Sequence, residues 1–419
     1  MSGAGTFRSL RNPSYRTWAA GSLVSNIGTW VQRTAQDWLV LTQLTQHNAT
    51  SLGVVMALQF GPHIVLLPFT GSAADRFDRR RILIVTQSVM FVLALALGLL
   101  TLFGAVALWH VYAFALLLGC VTAFDGPASQ TFVSELVGDR DLSNAVGLNS
   151  TSFNIARMVG PAIAGVLLAS VGTGWAFMIN ALSYLAVLGA LWRLRAHAHH
   201  ATARVVAPGQ GFVDGLRYVA RRPDLRAILL MLFLIGTFGL NFTIFISTMA
   251  VSVFHSGASR YGLLMSIMAI GTITGALLAA RRQQPRIEIL LWSAAVFGVG
   301  CTLAALMPTY WLFGAALMLI GVSALTFANS TNSLLQLGTE PAMRGRVMAM
   351  RLAIALGGTP IGAPIVGWVA DTLGPRWALG VGAASGFAAA GVLVHYLARH
   401  RHLRLHVASG RLRIRVDPA

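Results

Sequence analysis

Thirteen of the 419 residues are acidic, and two of these, Asp37 and Asp125, stand well inside long apolar runs. A carboxylate near the centre of a bilayer costs several kcal/mol unless it is paired, protonated or wetted, so its presence there points to function. A carboxyl group in such a place can exchange a proton. Asp37 follows Arg33 by four residues, which puts both on one helix face. That spacing fits either proton or cation handling or a local ion pair near an interface. Asp125 and Arg157 lie symmetrically about residue 141, so they stand at equal depth in a helical hairpin. This predicts an Asp125–Arg157 pair, either static or loosened when Asp125 takes a proton. The spans offer no cluster of nucleophile, base or metal ligands, so no enzyme and no metal site are expected. Cys120 and Cys301 fall in separate apolar runs, and no disulfide is expected. His197, His199 and His200 read as solvated linker.

These residues require elements that cross lipid. The chain is 56% hydrophobic and 11% charged, with mean hydropathy +0.68, whereas soluble domains carry about 25% charged residues. So little charge cannot cover a globular surface; the surface must face lipid. Apolar runs of about 20 residues, the length of a spanning helix, fall at 17–42, 51–73, 82–104, 108–134, 145–170, 174–194, 226–251, 260–280, 287–307, 310–336, 347–370 and 376–398. Backbone groups find no water in lipid, so helix is the economical choice, and the short alternating segments of a barrel do not occur.

All 31 basic residues are arginine, and 27 of them lie in every second loop and in the two tails. The net charge of +18 is therefore read as the positive-inside pattern with both termini cytoplasmic, and nucleic acid is not an expected partner. The first span is expected to direct insertion, with no cleavable signal. Residues 1–196 and 226–400 form two bundles, 197–225 a cytoplasmic linker and 401–419 a basic cytoplasmic tail. Within the linker, Phe212, Leu216 and Val219 predict a short helix lying on the membrane surface. Gly160, Gly165, Gly172 and Trp175 recur 202 positions later as Gly362, Gly367, Gly374 and Trp377. Such a repeat points to two parallel six-helix halves. No GxxxxGK[ST] loop is present to carry ATP-driven transport.

The loop after the second span reads Gly71-Ser-Ala-Ala-Asp75-Arg76-Phe77-Asp78-Arg79-Arg80-Arg81. It resembles the G-x-x-x-D-R-x-G-R-[RK] signature of the major facilitator superfamily, with Asp78 where that superfamily favours Gly. Phe124-Asp125-Gly-Pro127-Ala128-Ser-Gln130, Glu135-Leu-Val, Leu142-Ser-Asn144-Ala145 and Arg157-Met-Val-Gly160-Pro161-Ala-Ile-Ala-Gly165 resemble the drug/proton antiporter branch that includes macrolide and enterobactin-type exporters. So do Gly215–Pro223 and Arg344-Gly-Arg-Val347, so the resemblance covers nearly the whole chain.

The resemblance implies an all-α membrane protein of the major facilitator fold, with about twelve transmembrane helices in two pseudo-symmetric six-helix bundles that rock between inward and outward states. It implies a conformational lock at Gly71, Asp75, Arg76, Arg79 and Arg80, and an antiporter-like motif at Gly160, Pro161 and Gly165; an ordinary kinked packing helix is the plainer reading of that motif. Proton coupling falls to Asp125, Arg157, Asp37 and Arg33. A central cavity lined by helices 1, 4, 7 and 10 makes Asn26, Trp30, Gln32, Phe238, Asn241, Phe245, Asn329 and Asn332 candidates for substrate contact. The expected activity is proton-coupled efflux of an amphipathic small molecule such as a drug, secondary metabolite or siderophore. A metabolite importer or lipid flippase of the same fold is the alternative. The expected partners are that substrate, protons and the lipid bilayer. The proton gradient drives transport without a cofactor, in a monomer in the bacterial inner membrane.

Overall fold

The computed structural model describes the backbone of residues 7–194, 212–280, 286–400, 403–408 and 411–416, and side chains within these except at 67–68, 71–76, 139–140, 212–213, 280 and from 400 onward. Most of the expected linker, residues 195–211, lies outside the described residues. The helices are α1 (Pro13–Leu39), α2 (Ala49–Arg76), α3 (Arg79–Leu102), α4 (Leu108–Leu136), α5 (Asp139–Ser170), α6 (Thr173–Arg193) and α7 (Phe212–Arg221). They continue as α8 (Pro223–Leu234), α9 (Phe242–Thr248), α10 (Ala258–Ala280), α11 (Ile287–Leu306), α12 (Tyr310–Gly338), α13 (Pro341–Thr372) and α14 (Pro375–His400). Among the described residues, ten helical segments are long and apolar enough to cross a membrane, with α8 and α9 joined as one. The polar-interrupted α1 and the apolar Ala49–Val65 part of α2 bring the total to about twelve. In the tail, β1 (Leu403–Ala408) pairs antiparallel with β2 (Arg411–Val416), with Leu405 opposite Ile414, a hairpin that the sequence reading did not anticipate.

The chain divides into two compact units. One holds Met1–Val206 with Ile246–Ser266, the other Ala207–Phe245 with Ile267–Ala419. The sequence reading kept 226–400 whole, whereas the contacts assign Ile246–Ser266 to the first unit.

In the first unit α1 packs on α5 and α6, α3 on α4 and α6, and α2 on α4. Trp18 meets Phe132 edge-on at 5.1 Å, within a core that includes Tyr15, Leu83, Val133 and Leu191. A short turn at Arg8–Arg11 ties the chain start to the α4–α5 corner. There Ser9 donates to Asn144 and to the Asp141 carbonyl, Arg8 lies 2.5 Å from Asp141, and the Tyr15 hydroxyl donates to the Ala145 carbonyl.

In the second unit α8 packs on α12, α13 and α14, and α11 on α12 and α14. The helix expected on the membrane surface forms as α7 and packs on α13 and α8: Val219 is buried and Gly215 lies against Arg346, while Leu216 stays exposed. At the α7–α8 corner Arg222 donates to both oxygens of Asp224 and to the Gly338 carbonyl. The hydrogen bonds to Asp224 hold the Arg222 guanidinium above its ordinary pKa.

The units repeat one another more closely than the glycine–tryptophan pattern implied. Gly172 and Gly374, 202 residues apart, both have left-handed backbone, with φ of 88° and 104°, which costs a glycine least. A Cβ on Gly160 would overlap Trp30 and approach the Ile27 carbonyl; a Cβ on Gly362 would overlap the Thr237 carbonyl. Glycine lets the backbones touch where lipid supplies no hydrophobic drive between helices. We expect Gly362→Val to lose about 1–3 kcal/mol, as overpacking does. Thermal unfolding in detergent would show this as a lowered midpoint. Gly391→Ala, which adds its methyl to open space, should leave the midpoint unmoved.

Candidate functional site

The loop between α2 and α3 is built from charges that each have a specific task. Asp78 caps α3 by accepting from the Arg80 amide at 2.9 Å. An N-cap carboxylate satisfies an otherwise orphaned N–H, which gives a local reason for Asp at this place. Arg79 pairs with Glu135 at the end of α4, and Arg80 donates to the Leu191 carbonyl of α6 at 2.9 Å. The signature thus staples three helices of one unit. Glu135 and Asn144, quoted above only for their resemblance, prove to be the partners of Arg79 and of Ser9. The side chains of Gly71, Asp75 and Arg76 lie outside the described residues; the backbone there is the last part of α2.

Deeper along α4, Asp125 Oδ1 accepts from the Thr86 hydroxyl at 2.6 Å and from the Gln87 amide at 3.1 Å, both on α3. The expected Asp125–Arg157 pair is not formed. Arg157 donates to Asn154 at 3.2 Å, one turn back on its own helix. Equal depth in a hairpin does not set the direction in which a side chain points, and Asp125 turns to α3. Beside this cluster an open groove of about 630 Å³ is lined by Val85, Val89, Val121 and Phe124, the first two exposed, with Asp78 and Arg81 at its polar end. Thr86 and Cys120 also line it, so the hydroxyl that bonds Asp125 belongs to the groove wall.

On α1, Asp37 and Arg33 share a face as expected but form no ion pair among the described residues. Asp37 accepts from the buried Tyr261 hydroxyl of α10 at 3.3 Å, and Tyr261 stacks on Trp38 at 5.9 Å. Arg33 instead lies over the rings of Trp30 and Phe60, at 5.3 and 5.6 Å. The helix-5 motif is packed on two sides. Gly160 carries α1 against it, while Pro161 and Gly165 meet Gly262 and Ser259 of α10. Ser259 donates to the Gly165 carbonyl at 3.1 Å and Ser266 to the Met158 carbonyl at 2.9 Å. Pro161 sits inside a helix that runs on unbroken.

The sequence profile of a family described as transmembrane secretion effector matches residues 4–409. The chain belongs to that family. The staphyloferrin A transporter of Staphylococcus aureus is 27% identical over 85% of this chain and 89% of its own length. The multidrug efflux pump Tap of Mycolicibacterium fortuitum is 27% identical over 84% and 88%. Among solved structures, a bacterial homologue of the iron transporter ferroportin in an inward-facing state superposes with TM-score 0.72 at 15% identity. It covers 92% of this chain and 98% of that one, which shows the fold. The secretion effector is thus an efflux transporter of the major facilitator type, a multi-pass membrane protein and not an enzyme.

Of the cavity candidates in this secretion effector, three are taken up by helix packing. Gln32 accepts from Asn180 of α6 at 2.5 Å. Asn241 is buried and donates to the Thr237 carbonyl at 2.7 Å. Phe245 is buried against Gly382. Sequence alone could not tell a polar residue facing a cavity from one facing the next helix. Asn26, Trp30, Phe238, Asn329 and Asn332 are half-buried and retain accessible surface.

Two measurements check this geometry. Removing either Arg79 or Glu135 should lower the detergent-solubilised folded yield, and the exchange Arg79→Glu with Glu135→Arg should recover part of it, because breaking a buried pair costs more than reversing it. A membrane-permeant maleimide should modify the half-buried Cys120 in its groove and spare the fully buried Cys301, read as one adduct by intact mass.

Proposed function

We propose that this chain exports an amphipathic small molecule, such as a drug, secondary metabolite or siderophore, in exchange for protons across a bacterial inner membrane. It acts as a monomer with both termini in the cytoplasm, drawing on the proton gradient and on no cofactor. The observation that carries the coupling is the Asp125 carboxylate, held inside the bundle by a hydroxyl and an amide and in no ion pair among the described residues. A permanent ion pair would fix that carboxylate in its charged form. Neutral, reorientable partners leave both forms satisfiable.

The chemistry is local. The Thr86 hydroxyl has one proton and two acceptors in reach, Asp125 Oδ1 at 2.6 Å and the Leu83 carbonyl at 3.2 Å. When Asp125 is charged, that proton points to the carboxylate. When Asp125 is protonated, Thr86 can turn its proton to Leu83 and accept from the acid. Gln87 behaves alike. Its amide oxygen is buried without a partner, and turning the amide over would present that oxygen to a protonated Asp125. Loading and unloading a proton therefore needs two rotations and no repacking. The Asp37–Tyr261 bond ties a second carboxylate to the turns of α10 that pack on the helix-5 motif, which suits a switch between closed and open states. The charged α2–α3 loop, with Arg79 and Arg80 anchored and Gly71, Asp75 and Arg76 preceding them, is the proposed lock.

The test is substrate-induced proton movement in proteoliposomes, followed with a pH-sensitive dye across a panel of cationic dyes, macrolides and siderophores. We expect proton flux with some compound in the wild type. Asp125→Asn should lose it while inserting normally. Full coupled flux in that variant would remove Asp125 from the path, and compound movement without protons would favour a facilitator or lipid-flipping role.

A further inference from the structure

Arg33 is a cation of the first unit's interior that lies within the field of Asp37, one turn along its own helix, without bonding to it. It makes no ion pair within 4 Å and no hydrogen bond; its Nε is buried without an acceptor. The nearest carboxylate along α1, Asp37, is engaged by Tyr261. Its contacts are aromatic faces, Trp30 on its own helix and Phe60 on α2. Phe153 of α5 meets the edge of Trp30 at 5.9 Å, and the His63 ring lies 6.1 Å from Phe60. His63 turns toward the backbone of Gln59 and Phe60 on its own helix. Trp30, Arg33, Phe60 and His63 all keep some accessible surface.

We infer that this cluster is the charge-selecting subsite for an aromatic carboxylate. The inference rests on the export reading above and deepens it by naming the substrate class. A guanidinium carried into a membrane span with no carboxylate bonded to it is expensive. Face-on contact with two rings recovers only part of that cost. What would complete the site is a planar anion that takes two parallel N–H donors. An aryl group attached to that anion would lie against Trp30 and Phe60, where offset or edge-on ring contact is favourable. A cationic ligand meets Arg33 as a like charge and is disfavoured.

The test compares two probes of one shape and opposite charge, 1-naphthoate and 1-naphthylmethylammonium, by equilibrium dialysis against the purified full chain in detergent. We expect naphthoate to bind at least about tenfold tighter, the scale of one charge-assisted pair. Arg33→Gln should abolish the preference. Arg33→Lys should keep its sign with lower affinity, since lysine offers a point charge in place of a planar fork. Trp30→Leu should weaken naphthoate while leaving the preference. Equal binding of the two probes to the wild type, absence of saturable naphthoate binding, or an unchanged preference in Arg33→Gln would each overturn the inference. The wild-type comparison decides even if a variant fails to fold. Equilibrium binding depends neither on transport direction nor on proton exchange, so its failure is distinct from failure of the export reading.

Discussion

In a bilayer, helices gain nothing by hiding apolar side chains from one another, because lipid tails are as apolar as leucine. Close backbone approach has to supply the attraction instead. Each unit meets that requirement with small residues at its crossings. Gly28 lies against Ser183 of α6 and Gly160 against Trp30; Gly239 lies against Ser385 of α14 and Gly362 against Thr237. Ser183 and Ser385 stand 202 residues apart, the same interval that separates Gly160 from Gly362. The crossings fix which face of each helix turns inward, and every interior polar contact follows from them. Gln32 reaches Asn180 because Gly28, one turn earlier, lets α1 and α6 close up.

The same closeness explains how charge is managed. The charged side chains deep in the spans meet neutral groups. Asp125 is answered by a hydroxyl and an amide, Asp37 by a phenol and Arg33 by two rings. Full ion pairs occur where helices end, as at Arg79–Glu135, Arg8–Asp141 and Arg222–Asp224. There rigidity is useful and water is near enough to lower the cost of gathering charge.

The elements of the fold were legible because hydropathy over some twenty residues is a strong signal and glycine spacing repeats. Ten apolar crossings and the loop signature at 71–81 needed no more than that. Direction about a helix axis was not legible. Depth and spacing suggested Asp125 with Arg157 and Asp37 with Arg33, yet all four turn to other partners, because azimuth is set by the crossings and not by the sequence of one helix. The docking of Val219 was hidden for a related reason: a short amphipathic stripe reads the same whether it meets lipid or protein. The hold of Ser9 on Asn144 joins residues 135 positions apart, and no local pattern announces it. Alternating apolar positions in 403–416 were visible, and they are where the tail forms its paired strands.

One shared irregularity reaches back in time. The first and seventh spans both end in a π-helical turn, Val40–Leu44 and Met249–Val253. Each turn is closed by the same kind of backbone bond, from the His47 amide to Leu41 and from the Ser256 amide to Ala250, donors and acceptors alike 209 positions apart. A π turn is an α-helix that has gained a residue. Its recurrence at matching places is the pattern that doubling of a six-span unit already carrying the extra residue would leave. The seventh span carries a further π-helical turn, Ile235–Gly239, with no counterpart in the first, so the two repeats have also diverged.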